Sequence, residues 1–207
     1  MNMSRISEAL AITPFDLRLD HELNREALRF ANEWLFPWHN INIENRVVKV
    51  DDFQGRFIQV GGIVFDGQIR KIYWQAIQRY LLIKIHDAFK AWDTETGQYP
   101  PSMRAASLEW MSNRLTGFVG AIIARSINMD RALRGRGDPE SVNAYDTSHE
   151  QGRANAEIMQ LVQSHKALDV AYAANSLRDA VSPKFRLFGF EIDYVKAWAW
   201  VRRKLSK

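Results

Sequence analysis

The stretch SMRAASLEWMSNRLTGFVGAIIARSINMDRAL, residues 102–133, decides the fold class of this chain. Its apolar residues recur every three or four positions, which is the period of an α-helix with one buried face. These positions are Leu108, Met111, Leu115, Phe118, Ile122, Met129 and Leu133, with Ser126 in one further slot. The pattern predicts a long helix over Ser102–Leu133 that either spans the molecule or bends near Gly117 and Gly120.

A second long run, Ser148–Val181, has the same period. Its apolar stripe consists of Ile158, Leu161, His165, Leu168 and Tyr172. Ser148 and Gln151 have the spacing of a capping box, so we expect the helix to begin there. A proline follows at position 183 and ends the run, because proline cannot continue a helix. We interpret His165, inside the stripe, as a hydrogen-bonded core or interface residue.

Shorter helical patterns flank these two runs. Thr13-Pro14 has the residues of a helix start, and Asp20 is a second cap that opens a helix over His21–Phe36, which Pro37 ends. Three further helices are predicted at 72–92, at 138–145 and at 190–205. The chain should therefore be mainly α, a helical bundle of six or seven helices.

Residues 46–70 form the one β-like region that the pattern indicates. It is rich in valine, isoleucine and phenylalanine, which favour strands, and glycines interrupt it. Asp66-Gly67 is a typical two-residue hairpin turn, because a type I′ turn needs positive φ at both positions. We therefore predict a small β-hairpin, or short antiparallel strands, near residues 46–70.

Composition narrows the class of protein. With 46% hydrophobic and 25% charged residues, the 207 positions suit a globular chain, and we expect 1–207 to be a single helical domain with the hairpin as an insertion. The absence of cysteine excludes disulfides and thiolate zinc sites. No apolar stretch approaches the ~20 residues of a membrane span, and Met1–Ala11 lacks a signal-peptide core. We expect a cytoplasmic protein without cofactor or metal.

Arg79 and His86 are the sharpest candidate for catalysis. Six residues separate them, so the pair resembles the R-x(4–6)-H motif of HEPN ribonucleases, which are helical proteins of toxin–antitoxin and phage-defence systems. Seven positions are nearly two helical turns, so both side chains project from one face. The resemblance covers one helix and implies a metal-independent ribonuclease with a dimer cleft, in which His86 is the general acid or base and Arg79 holds the phosphate.

His86-Asp87 also resembles the central dyad of HD-type phosphohydrolases. Such a metal site needs an earlier histidine and a later aspartate. His39 can supply the first, and Asp130, Asp146 or Asp169 the second, and nothing in their spacing selects among them.

A cluster of arginines follows the first long run. Arg131, Arg134 and Arg136 lie among glycines at its C-terminal end, in a chain with a net charge of +4. Cations there complement the helix dipole, and exposed guanidinium groups pair with phosphates in bidentate geometry. We predict that these three arginines contact nucleic acid or an acidic partner. Between them and the start of the run, Gly117 and Gly120 indicate the close approach of another helix or of backbone, with a ligand cleft as the alternative.

These patterns favour binding over chemistry. Long helices with apolar stripes and a hairpin suit contacts with a protein partner or between copies of the chain. The leading hypothesis is a non-enzymatic binding or assembly subunit of a bacterial or phage complex, with RNA or DNA as a further partner of the arginines. The alternative is the HEPN-like ribonuclease with Arg79 and His86.

Overall fold

The computed structural model describes residues 12–39, 48–60, 67–135, 143–181, 184–187 and 190–193. They are mainly helical. In chain order the helices are α1 (Pro14–Arg29), a π-helical turn (Phe30–Leu35), α2 (Phe36–His39), α3 (Gly67–Thr96), α4 (Pro101–Gly135) and α5 (Ser148–Val181). The strands are β1 (Val48–Asp51), β2 (Phe57–Val60), β3 (Lys184–Leu187) and β4 (Phe190–Asp193). The chain divides into two compact units, Met1–Val162 and Gln163–Lys207.

Both long predicted runs are helices. α4 contains the whole of the quoted stretch, and its stripe residues Leu108, Met111, Leu115 and Ile122 are fully buried. α5 has the predicted bounds. In the first unit, α1, α3, α4 and the beginning of α5 pack around one hydrophobic core. Its largest fully buried side chains include Trp38, Tyr73, Trp74 and Trp92. In the part of the chain that is described, no helix is long and apolar enough to cross a membrane.

The predicted number of helices is wrong for the described residues, which form four long helices rather than six or seven. Asp20 opens no new helix, because α1 runs through it from Pro14. Residues 143–145, the end of a predicted short helix, have no regular structure, and the predicted last helix begins instead with a strand at Phe190. Positions 138–142 and 194–205 of these two predictions lie outside the described residues.

Pro37 does not end the first helix, contrary to the prediction. In the π-helical turn that precedes it, the Phe36 N–H donates to the carbonyl of Ala31, five residues back. A new α-helical segment begins at Phe36, so Pro37 stands in its first turn, where a missing N–H removes no helical hydrogen bond.

The predicted sheet near residues 46–70 is present as an antiparallel pair of β1 and β2, with Val48 opposite Val60 and Asp51 opposite Phe57. The predicted turn at Asp66-Gly67 is wrong, because α3 already begins at Gly67. The helical stripe of α3 starts there, with Ile69 packed against the core. The turn lies instead at 52–56, where the carboxylates of Asp51 and Asp52 accept backbone N–H groups.

A second antiparallel hairpin lies in the C-terminal unit, where the sequence predicts a link and a helix. Its register pairs Lys184 with Asp193 and Arg186 with Glu191.

Asp16 ties the start of α1 to α4. Its Oδ2 accepts the N–H of Thr13 at 2.8 Å, which completes a capping box, and its Oδ1 accepts the hydroxyl of Ser107 at 2.7 Å. Asp16 is buried, so loss of the carboxylate leaves both donors without an acceptor.

We expect Asp16→Ala to lower the free energy of unfolding by about 2 kcal/mol, the usual cost of losing a helix cap together with a charged hydrogen bond. Urea titration followed by circular dichroism measures the change. Asp20→Ala on the same helix is the matched control, because it removes a half-exposed ion pair with Arg114 and should cost less than about 1 kcal/mol. Equal losses in the two variants would contradict this account of Asp16.

Candidate functional site

The carboxylate of Asp130 is fully buried where α3 begins and α4 ends. Arg70 donates to both of its oxygens, from Nε at 2.7 Å and from Nη2 at 2.6 Å. The indole Nε1 of Trp74 donates to Oδ1 at 3.2 Å. This is the bidentate geometry in which a guanidinium group and a carboxylate pair best. It fixes the first turns of α3 against the last turns of α4.

Tyr145 attaches the segment before α5 to the same place. Its ring stacks on Trp74, with centroids 4.5 Å apart, and the Arg70 guanidinium carbon lies 4.6 Å from its centroid. The phenol donates to Oε1 of Glu150 at 3.2 Å. Burial raises the pKa of Tyr145, and the neighbouring Glu150 carboxylate raises it further. The phenol therefore remains a hydrogen-bond donor in the neutral pH range.

Arg131 and Arg134 lie beyond this centre on the last turns of α4. Arg134 is exposed. Arg131 is half-buried, and its Nε is buried with no hydrogen-bond partner among the described residues. The third predicted arginine, Arg136, lies outside them. Within the described ranges, neither arginine forms an ion pair, because the adjacent Asp130 already serves Arg70.

Lys71 adds a third cation at this end of the helix pair. It follows Arg70 on the first turns of α3, is exposed and has no ion pair within the described ranges. We call Lys71, Arg131 and Arg134 the basic end. No sequence pattern indicates Lys71, because only the Arg70–Asp130 contact brings the start of α3 to the end of α4. A signal for that contact was available, since Asp130 falls on the buried stripe between Ser126 and Leu133.

Arg79 lies on the side of α3 that meets the β1–β2 turn. Its Nη1 is 3.8 Å from Oδ2 of Asp52 and 3.5 Å from the Asp52 carbonyl oxygen. Burial raises the pKa of Asp52, but the N–H groups of Gln54 and Arg56 and the two nearby guanidinium charges outweigh it, so the pKa is lowered overall. Arg79 therefore pairs with a carboxylate that is ionised at neutral pH.

His86 lies two turns further along α3 and contacts α5. Its Nε2 is 2.9 Å from Oε1 of Glu157, and 57% of its side chain is exposed. A rise of 1.5 Å per residue separates the backbones of Arg79 and His86 by about 10 Å along the helix axis. The structure places each beside a different acidic residue, Arg79 beside Asp52 and His86 beside Glu157. Whether they act together stays a prediction.

The residues that resemble an HD-type metal site are not brought together in the described part. Asp130 is occupied by Arg70 and Trp74, and Asp146 accepts the backbone N–H of Ser148, which lowers its pKa. His39 is exposed and its ring contacts Phe36. No group of three or more acidic or histidine side chains positioned for a metal ion occurs in the described ranges.

The two glycines of α4 do not mark a close helix contact in the described structure, contrary to the prediction. A Cβ atom built on Gly117 or on Gly120 would meet no described atom within 4 Å. The neighbouring arginines instead reach α1, where Arg114 pairs with Asp20 and Arg125 donates to the carbonyl of Ala27. On α5, His165 is half-buried, whereas Leu168, the next stripe residue, is exposed.

A cleft of about 330 Å³ lies between α1, the π-helical turn, the β1–β2 turn and α3. We call it the α1–α3 cleft. In its wall, Lys84 Nζ lies 2.8 Å from Oε2 of Glu26, and the Tyr80 hydroxyl contacts the Glu26 carbonyl oxygen at 3.3 Å. Burial raises the pKa of Glu26, but the hydrogen bond and charge of Lys84 lower it more. No sequence pattern indicates this cleft, because three separate chain segments assemble it.

Compared with known proteins, the chain matches no protein-family model, no curated protein and no solved structure.

We expect Arg70→Met to lower the free energy of unfolding by about 3–5 kcal/mol, because it leaves the buried Asp130 carboxylate with only the Trp74 donor. The double variant Arg70→Met/Asp130→Leu removes the uncompensated charge as well and should recover at least half of the loss. Urea titrations of both variants measure the difference. A double variant that is as unstable as Arg70→Met would show that Asp130 is not the source of the cost.

Proposed function

We propose that the protein is a non-enzymatic binding subunit of a larger bacterial or phage complex and that its basic end contacts the phosphates of nucleic acid. The observation that carries this proposal is the state of the two α4 arginines. Arg134 is exposed, Arg131 is half-buried, and neither guanidinium group has an acidic partner within the described residues. Guanidinium groups without an internal carboxylate can pair with the phosphates of a partner.

The position of the arginines also supports phosphate binding. Arg131 and Arg134 are three residues apart, so they lie on one side of α4. The nearest acidic group on the helix, Asp130, is neutralised by Arg70 inside the protein. The charge of the basic end is therefore available to an external anion.

The distribution of charge along the sequence agrees with a polyanionic partner. Residues 163–207 contain nine Lys and Arg against four Asp and Glu, a net charge of +5, whereas residues 1–162 contain 19 against 20. The net positive charge of the protein thus belongs to its C-terminal unit, and the basic end is a local excess in a nearly neutral first unit. Positive charge of this kind increases the rate of encounter with nucleic acid.

Exposed apolar residues support the assembly part of the proposal. On α5, Leu168 is 63% exposed and Val170 is 70% exposed. Both are apolar side chains at solvent-facing positions of a helix, and burial of such surface against a partner is favourable. A protein partner or a second copy of the chain is the proposed occupant.

We expect the wild-type protein to bind fluorescently labelled RNA or DNA with an affinity that falls steeply with salt. Arg131→Gln/Arg134→Gln should weaken binding about tenfold or more and flatten the log–log salt dependence by about 1.5 to 2, because each phosphate contact contributes somewhat less than one unit. Fluorescence anisotropy over a salt series measures both quantities.

Arg56→Gln/Lys90→Gln is the matched control for this experiment. Both residues are exposed, and the double substitution changes the net charge by the same amount. An equal loss of affinity in the control would show that overall charge, rather than the basic end, determines binding. No binding to RNA or DNA at low salt would contradict the proposal and would leave an acidic protein as the partner of the basic end.

A metal-independent ribonuclease is the second candidate, and the exposure of His86 favours it. More than half of that side chain is accessible, and the Glu157 carboxylate beside it at 2.9 Å can orient the imidazole as it exchanges a proton. Arg79, 36% exposed, is the group that would hold a phosphate in the HEPN resemblance.

The ribonuclease hypothesis predicts that the protein cleaves RNA in EDTA and that Arg79→Ala/His86→Ala abolishes cleavage. Gel analysis of a labelled RNA measures it. Arg131→Gln/Arg134→Gln is the useful comparison, since it should weaken RNA binding without removing the catalytic pair. Intact RNA after prolonged incubation with the wild-type protein would eliminate this candidate.

A further inference from the structure

Four aromatic rings form the floor of the α1–α3 cleft. Phe30 stacks on Trp34 and on Tyr80, with centroids 5.0 and 4.7 Å apart. The ring of Phe53 contacts both of these neighbours, with its centroid 5.6 Å from that of Trp34 and 5.0 Å from that of Tyr80. The first three rings are buried, whereas Phe53 is half-buried and offers part of its surface to the cleft. The part of the floor that a ligand can reach is thus mainly the ring of Phe53, and the face of an aromatic ring has a negative electrostatic potential.

The charged residues around the floor leave one negative charge uncompensated. Lys84 neutralises Glu26, and Arg29 neutralises Glu33, each at 2.8 Å. Asp51 also lines the cleft, and it has no ion pair within the described part of the chain. Its Oδ1 accepts the N–H of Phe53 at 2.7 Å, which holds the carboxylate beside the backbone of that residue.

Two irregular backbone segments build this arrangement. The π-helical turn Phe30–Leu35 carries Phe30, Glu33 and Trp34 into the cleft, and π-helical turns occur often at functional sites. From the other side, Phe53 has a φ of 57°, which is unfavourable for a bulky residue. The carboxylates of Asp51 and Asp52 hold Phe53 in this conformation. They accept hydrogen bonds from the backbone N–H groups of Phe53, Gln54 and Arg56. Strain of this kind persists where the surrounding structure or a function requires it.

The cleft already accommodates one ammonium group. Lys84 Nζ lies 5.7 Å from the centroid of the Tyr80 ring while it pairs with Glu26. An aromatic face together with a carboxylate is therefore a combination that this cleft uses for an internal cation. The same combination is present a second time, in Phe53 and Asp51, without an internal cation among the described residues.

We propose that the α1–α3 cleft binds an alkylammonium group, which Asp51 and the face of Phe53 recognise. The volume of about 330 Å³ is at the lower end of the range of small-molecule sites, so it suits a compact group. The group can belong to a free organic cation or to the lysine side chain of a partner, since both present the same chemistry. This site is independent of the basic end.

Isothermal titration of the full-length protein with choline, with its uncharged isostere 3,3-dimethylbutan-1-ol and with a short lysine-containing peptide tests the proposal. We expect the ammonium compounds to bind about tenfold more tightly than the isostere, as a cation beside an aromatic face and a carboxylate should. Tighter binding of choline would identify a free organic cation as the source, and tighter binding of the peptide would identify a partner.

Asp51→Asn should reduce the affinity for the ammonium compounds about tenfold and leave that of the isostere unchanged. The amide retains an oxygen for the Phe53 N–H, so this variant keeps the turn. Phe53→Leu, which removes the ring, should weaken both classes of compound. Glu109→Gln on α4, exposed and outside the cleft, is the control with the same loss of charge.

Equal affinity of choline, peptide and isostere would overturn the proposal. So would an Asp51→Asn protein that binds as the wild type does, or a wild-type protein that binds neither ammonium compound.

Discussion

The buried ion pair of Arg70 and Asp130 is the interaction on which the described architecture of the first unit most depends. Helix ends have unpaired backbone groups and normally fray, yet here the first turns of α3 and the last turns of α4 are joined by three hydrogen bonds to one carboxylate. Burial of a carboxylate is expensive, and only a geometry this complete offsets it. Tyr145, stacked on Trp74, adds the segment before α5 to the same centre.

The same interaction also takes the Asp130 carboxylate away from the neighbouring arginines of α4. Asp130 lies on the buried side of α4 with Arg70, so its neighbours Arg131 and Arg134 have no acidic partner within the described residues. A salt bridge on the surface would have neutralised them. The α1–α3 cleft shows the opposite balance, because its cations are matched by Glu26 and Glu33, and Asp51 remains.

The hydrophobic period of the sequence predicted the positions of the two longest helices. The stripes of α4 and α5 gave helices at the expected positions, because the α4 stripe and Ile158 of the α5 stripe have a core to face. The predictions at Pro37 and at Asp66-Gly67 were wrong for local reasons. After the π-helical turn, Pro37 stands in the first turn of a new helical segment and breaks no hydrogen bond. At Gly67 the helical period of α3 outweighs the turn preference of the dipeptide. The arginines of α4 were found as a cluster in sequence. Lys71 and the α1–α3 cleft were not, since each joins residues that are far apart in the chain and meet only after helices pack.

Amide hydrogen exchange, resolved by peptide, measures the central claim directly in the unmodified protein. If the Arg70–Asp130 pair holds the helix ends, residues 69–77 of α3 and 126–133 of α4 should exchange only with global unfolding, with the same free energy as the middle of α3. Exchange of these two ends through local opening, much faster than that of residues 78–88, would contradict the claim that this pair organises the structure.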